Sequence, residues 1–416
     1  MEIKKIQVIG AEDMNGNIRN FAWPITTVGK YDYRALNECV EKYKGKFLGK
    51  KIVIFGAGIR GTSFSIWLSD MGYENIVFTD NNEMKIGGYI NKFPILAYQD
   101  IIYMKDEIVV IVSVENGYVI MEQLEQSGFV KNENAFFIEN HLNSDYVKEF
   151  SRKGDFDIVA MGDCGFTDIS IKDENHDNIS EILEKAVGRE HIKVLAIHAM
   201  GMRAFYNIFK AHIDHISIPK KLLLMANFET FTGKQHLLPR SQHANLINLI
   251  SKEIKHSDKE LCEYAKVTNE RFSNFRMDYF TSADSNMNVE NRERNDRIVI
   301  KMNYMYSLKR DNEGIVYLEK MLNLCKKNGI EPHVFIPPVN YMYAEGLFGE
   351  AFSNAYQRNV SYLKEIVEDH NYSILDLSFI LKEYQFADTH TIDETANYEG
   401  RKLVVRKLLA ELGKGE

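Results

Sequence analysis

The sequence predicts an α/β protein with two parallel sheets in succession, each covered by helices. Three observations carry this. Short apolar runs rich in Val, Ile and Leu recur along the chain, as strands buried on both faces do. Stretches of helical period separate them, and that alternation is the pattern of a parallel sheet with helices on both sides. The 416 residues are 45% hydrophobic and 26% charged, enough chain and apolar matter for two cores.

Bulk properties narrow the function classes. A net charge of −8 and a pI near 5.9 argue against a nucleic-acid binder, whose footprint is basic. No apolar run approaches the ~18 residues of a membrane helix, and the first residues lack the apolar core of a secretory signal, so no membrane span is expected. Cys39, Cys164, Cys262 and Cys325 are far apart and form no C-x-x-C pair. That spacing predicts neither a zinc site nor a disulfide framework, but reduced thiols in the cytoplasm. A homo-oligomer is left open.

Residues 1–48 read as a lead-in: a strand at "KKIQVIG", a turn at "DMNGN" and a helix over "YDYRALNECVEKYKGKF". The first α/β unit spans 49–145. Its strand Lys51–Phe55 meets Gly56, Gly58 and Gly61, a helical stretch follows, and the next strand, "NIVFTD", ends at Asp80, 19 residues beyond Gly61. This is G-x-G-x-x-G with a following acidic residue. Such glycines let the backbone approach a phosphate at a helix N-terminus, and they equally permit close helix–strand packing. A nucleotide bound by Gly56, Gly58, Gly61 and Asp80 is therefore one expectation and plain packing the other. The strand "DEIVVIVSV" and helix "GYVIMEQLEQSGF" complete the unit. The stretch resembles the small Rossmann-like domain attached to many bacterial sugar-modifying and capsule-building proteins, in Phe55 to Gly61 and then Asp80, Asn81, Asn82, Lys85, Gly87 and Pro94.

"LNSDYVKEFSRKGDF" is polar enough for a linker or connecting helix, and the second unit is expected over 155–416. It alternates strands ("DIVAMGD", "IKVLAIHAMGM", "KKLLLMANFE", "EPHVFIPPVNY", "YSILDLS") with helices, the last being "EGRKLVVRKLLAEL". A polar stretch from about 252 to 300 interrupts it. That stretch reads as an irregular insertion or cap, with the charge run "NRERNDR" as a solvated loop.

In a parallel sheet the ligand crevice lies beyond the carboxyl ends of the strands. The first strand of this unit ends in Gly162, Asp163 and Cys164; the second leads to Gly201; the third leads to Asn227; the last loop holds Asp388, His390 and Asp393. Acyl transfer needs a nucleophile, a base and donors for the developing oxyanion, and these residue types can supply all three. The four blocks, in this order, resemble the SGNH (GDSL-like) hydrolase and acyltransferase superfamily. The resemblance implies a flavodoxin-like three-layer α/β/α fold over about 155–416. It puts Cys164 at the nucleophile position, Gly201 and Asn227 in the oxyanion hole, and Asn397–Gly400 in the turn before the terminal helix. "VFIPPVNY" and "ILDLS" resemble the branch with the cell-wall D-alanyl transfer and alginate O-acetylation proteins. It also implies an acyl donor such as acetyl-CoA and a sugar or glycan acceptor.

Two departures stand out. The nucleophile position holds cysteine, not serine. A thiolate supports the same chemistry, whereas an inert buried cysteine does not. The superfamily's D-x-x-H is also broken, with Thr395 falling where the histidine belongs. His390 beside Asp388 is the nearest replacement, and Asp393 would serve as easily as a helix or turn cap. Other residues have bland readings of their own: His198, His236 and His243 as structural histidines, Arg203 and Arg240 as surface charge, Pro337 and Pro338 as loop-setters, Tyr341 and Tyr343 as core aromatics rather than sugar platforms. The leading expectation is an esterase or O-acyltransferase acting on a sugar or glycan precursor. A catalytically inactive protein that binds a glycan or scaffolds polysaccharide biosynthesis is the second. A nucleotide-dependent sugar-modifying enzyme is the third, and it lacks a Y-x-x-x-K pair.

Overall fold

A computed structural model describes residues 20, 27–114, 117–139, 141–170, 172–198, 200–231, 240–255, 259–263, 289–387 and 395–414. The protein is mixed α/β, and its described residues form two compact units, the second beginning at His141. The expected strand at "KKIQVIG" lies outside the described residues.

The first unit has strands β1 (Lys51–Phe55), β2 (Ile76–Thr79), β3 (Tyr89–Ile90), β4 (Phe93–Leu96), β5 (Ile108–Val112) and β6 (Ala135–Phe137). They lie in the order β3-β4-β2-β1-β5-β6, parallel except for the β3–β4 hairpin. Ile52 to Phe55 and Ile108 to Val112 are buried throughout, which is why these strands read as unbroken apolar runs. The helix Lys30–Lys42 buries Leu36 and Val40 in this unit, and Tyr33 meets Trp67 edge-on at 5.0 Å. Sequence periodicity missed the β3–β4 hairpin, because "GGYINKFPIL" has only two residues on one of its arms.

The main sheet of the second unit has five strands: β7 (Ile158–Gly162), β8 (Ile192–Ala196), β9 (Lys221–Met225), β10 (Glu331–Ile336) and β11 (Ile374–Asp376). They are all parallel, in the order β8-β7-β9-β10-β11. Counted within the unit this is 2-1-3-4-5, the flavodoxin-like doubly wound order, with its switch point at the first strand. Ile158, Ala160, Val194, Leu223 and Phe335 pack with Leu183, Val404 and Leu408 of two helices on one face. The alternating residues Val159, Met161, Leu195, Leu222 and Leu224 are equally buried, so both faces are covered.

Two local expectations are settled, one of them by a change. Of the two readings of "LNSDYVKEF", linker or connecting helix, the helix holds: Leu142–Ser151 buries Leu142, Tyr146 and Phe150, one side chain every four residues. The charge run "NRERNDR" is not a loop. It lies in the helix Val289–Asn303, where Arg297 pairs with Glu293 one turn earlier and Ile300 is fully buried. A helix so polar on one side is held by its few inward residues, a signal the local charge density hides.

Candidate active site

Strand β7 ends at the switch point, between β8 and β9. The ladder pairs Ala196 with Gly162 and Leu224 with Met161, so the three strands end level. Gly162 must be glycine, because a Cβ there would sit 2.3 Å from the Phe166 ring. Asp163 then turns the chain. Its buried carboxylate accepts from the Gly165 amide (3.1 Å) with one oxygen and from the Asn227 side-chain amide (3.1 Å) with the other. A single carboxylate thus caps the short helix Cys164–Thr167 and ties the ends of β7 and β9 together.

Cys164 is the first residue of that helix and is half-buried. Burial pushes the Cys39 thiol up to about 11 and the Cys325 thiol up to about 12, which keeps both protonated at neutral pH. None of the four forms a disulfide.

The expected oxyanion donors flank this corner. Gly201 is the N-cap of the helix Met202–His215 that follows β8, and Asn227 follows β9. Asn227 is buried; its Oδ1 accepts from the Glu229 amide (3.2 Å), which fixes the side chain so that one of its two amide hydrogens points to Asp163. The Gly165 amide is already bonded to Asp163.

Sequence reasoning missed the partner of His198. His198 Nδ1 lies 3.4 Å from Asp168 Oδ1, which also accepts from the Thr167 hydroxyl at 3.0 Å. Asp168 directly follows the Cys164–Thr167 helix. His198 stands two residues past the Ala196–Gly162 pair on β8, as Cys164 does on β7, and adjacent strands run about 4.8 Å apart. A histidine held by a carboxylate thus follows the end of β8, as the thiol follows the end of β7.

Asp388, His390 and Asp393 lie outside the described residues, and so does His236. Their flanks are well fixed. The Ala387 amide donates to Thr395 O (3.0 Å) and the Asn397 amide to Gln385 O (2.8 Å), so the chain leaves and re-enters at one point. Thr395 is buried. The N-cap of the terminal helix is Asn397, whose side chain accepts from the Gly400 amide at 3.0 Å, so the cap offered to Asp393 belongs to Asn397. A Cβ on Gly400 would lie 2.6 Å from Gln385 O. The next residue, buried Arg401, donates to Ala396 O, Asn175 O, Asp177 O and the Asp173 carboxylate, fastening this return point to the loop beyond Asp168.

Two of the remaining candidates have structural partners. Arg203 pairs with Glu313 at 2.7 Å, and Tyr343 donates to Asp296 at 2.5 Å. Arg240 and His243 begin the helix Arg240–Glu253. Pro337 and Pro338 are buried just past β10.

In the first unit, the glycine loop is closed by its own neighbours. Gly56 has φ 114°, and a Cβ on Gly61 would sit 2.0 Å from Gly56 O. Gly58 caps the helix Ile59–Asp70. Asp80 accepts from the Ala57 amide (2.7 Å), the Asn82 amide (2.8 Å) and Lys85 Nζ (3.5 Å), while Lys85 also donates to Ala57 O at 2.8 Å.

The chain matches no protein-family profile, and no curated protein matches its sequence. Among solved structures it is similar to an acetyl xylan esterase from Geobacillus stearothermophilus, with 10% identity and a TM-score of 0.32 over 64% of this chain and 98% of that one. Among the described residues, no helix is long and apolar enough to cross a membrane.

Proposed function

We propose that the second unit is an SGNH-like acyl-ester hydrolase or O-acyltransferase acting on an acylated sugar or glycan precursor, with Cys164 as nucleophile. One observation carries this reading: Cys164 stands half-buried at the switch point, with Gly201 and Asn227 following the two neighbouring strands and a His198–Asp168 pair following the end of β8. The thiol sulfur would attack the acyl carbonyl after losing its proton to a histidine. The Gly201 amide and the Asn227 side chain would hold the oxyanion. The ester's alcohol would leave with that proton, giving a thioester on Cys164, and water or a sugar hydroxyl would then take the acyl group. With acetyl-CoA as donor, the leaving group would be the CoA thiol. His390 with Asp388 is the base implied by the resemblance; His198, oriented by Asp168, is the base the described residues offer.

The test is release of the alcohol or thiol from an aryl acetate and from acetyl-CoA by the wild type, Cys164→Ala, His198→Ala and His390→Ala. We expect Cys164→Ala to lose about 10³-fold or more, as removal of an activated nucleophile does, and one histidine variant to follow it. A wild type inert on both donors would sink the catalytic reading. The second reading would then stand: a non-catalytic glycan-binding protein, favoured by the buried threonine at the position where the superfamily pattern places histidine. A nucleotide at the glycine loop is a third reading, and it would have to compete with Ala57 and Lys85 for Asp80.

A further inference from the structure

We propose that a pocket on the second unit, at the same edge of the sheet as Cys164, binds one neutral or amino-bearing pyranose ring of a glycan. Naming it an acceptor subsite rests on the acyl-transfer reading above; the binding itself does not. The pocket has a volume of about 220 Å³ and is lined by Tyr341, Glu345, Phe352, Ser353, Gln357 and Phe379. That is below the ~300–1,000 Å³ typical of drug-sized ligands, so it suits a single ring.

Its walls hang from the carboxyl ends of β10 and β11. Tyr341 opens the helix Tyr341–Phe348, which is capped by Asn340, and Phe379 lies in the turn after β11. The Val339 amide donates to Ser378 O at 3.1 Å, which staples the two strand ends together. The Ser378 hydroxyl donates to Asp376 (2.6 Å) and accepts from Tyr356 (3.1 Å), so the residue before Phe379 is locked. Phe379 meets Tyr341 edge-on at 4.8 Å, yet stays 46% exposed. A rigidly mounted aromatic ring left open to water is a platform for an apolar surface, and the C–H face of a pyranose is such a surface. Glu345, Ser353 and Gln357 then offer a carboxylate, a hydroxyl and an amide to the ring's hydroxyls, with Ser353 already donating to Glu345.

Charge selects among sugars. The lining holds a carboxylate and neither lysine nor arginine, which disfavours phosphate-bearing donors and acidic sugars. Strands β10 and β11 lie two and three places from β7, so roughly 10–14 Å separates the pocket's edge of the sheet from the Cys164 corner. A short oligosaccharide spans that gap.

The test is saturation-transfer NMR on the full chain with methyl β-glucoside, glucosamine and cellobiose at millimolar concentration, with Phe379→Ala, Phe379→Tyr and Gln357→Ala compared with the wild type. The wild type is expected to saturate the ring protons of at least one probe. Phe379→Ala should weaken binding at least tenfold, Phe379→Tyr should retain it, and Gln357→Ala, an exposed change with little risk to folding, should weaken it several-fold. Thermal unfolding shows that each variant is folded. The proposal is overturned if no probe binds the wild type, if folded Phe379→Ala and Gln357→Ala bind as the wild type does, or if acetyl-CoA displaces the sugar. The readout needs no turnover, so failure here leaves the Cys164 assignment standing, and an inert Cys164 leaves this one.

Discussion

The two units contain the same local design, a buried parallel strand that stops at a glycine turn and feeds a helix, and they use it differently. After β1, the suggestive groups are spent on one another: Asp80 on the Ala57 and Asn82 amides and Lys85, and Gly61 on contact with Gly56 O. After β7, the carboxylate is also spent, since Asp163 holds Gly165 and Asn227, but its work leaves a thiol at the corner, and a histidine–aspartate pair follows the end of the neighbouring strand β8. The histidines divide the same way: all 12 lie at or beyond His141. A glycine turn after a strand is thus a way to pack a helix closely, and chemistry has to be added to it.

The largest effect that separates the two turns is expected at Gly61. An added Cβ would meet a backbone oxygen 2.0 Å away, which no side-chain rotation relieves. Gly61→Ala should destabilise the first unit by about 3 kcal/mol, the upper range for overpacking. Denaturant unfolding reads it, and the comparison breaks if Gly61→Ala is as stable as the wild type.

How much of this was legible in the sequence follows from the same physics. Strands β1, β5, β7 and β9 could be read because parallel strands buried on both faces are continuous apolar runs. The ends of β7, β8 and β9 gave Cys164, Gly201 and Asn227 their common edge before any coordinates. The His198–Asp168 pair was not legible: its members are 30 residues apart, and only the β7–β8 pairing brings them to 3.4 Å. Arg401 was hidden for a different reason. On a helix reading "EGRKLVVRK" it looks like surface charge, and its burial depends on four acceptors drawn from Ala396 and the 173–177 loop.

The two carboxylates offer the next test. Asp163→Ala and Asp80→Ala each strand backbone or side-chain amides, and each should cost about 1–3 kcal/mol. They part in function. Asp163→Ala frees the Asn227 side chain and the Cys164 helix, so acyl-donor turnover should fall well beyond the stability loss, while Asp80→Ala should leave turnover at the wild-type level. Equal effects of the two on turnover would erase the distinction drawn between the turns.

The smallest expected effect uses acid. Burial, reinforced by the nearby Lys193 ammonium, lowers His212 to about 3. Both of its ring nitrogens are buried without a well-formed hydrogen bond, against the edge of Phe150. The folded state therefore holds this imidazole neutral while the unfolded chain protonates it near its ordinary value of ~6.5. Between those values the unfolded state binds the extra proton, so stability falls as pH drops. At pH 5 the loss should be about 1–2 kcal/mol, and it should fall on the second unit alone, since no histidine precedes His141. His212→Leu keeps the volume and removes the titration. Its urea midpoint should change less between pH 7 and pH 5 than that of the wild type, and an identical acid sensitivity in the two proteins would show that His212 does not carry the effect.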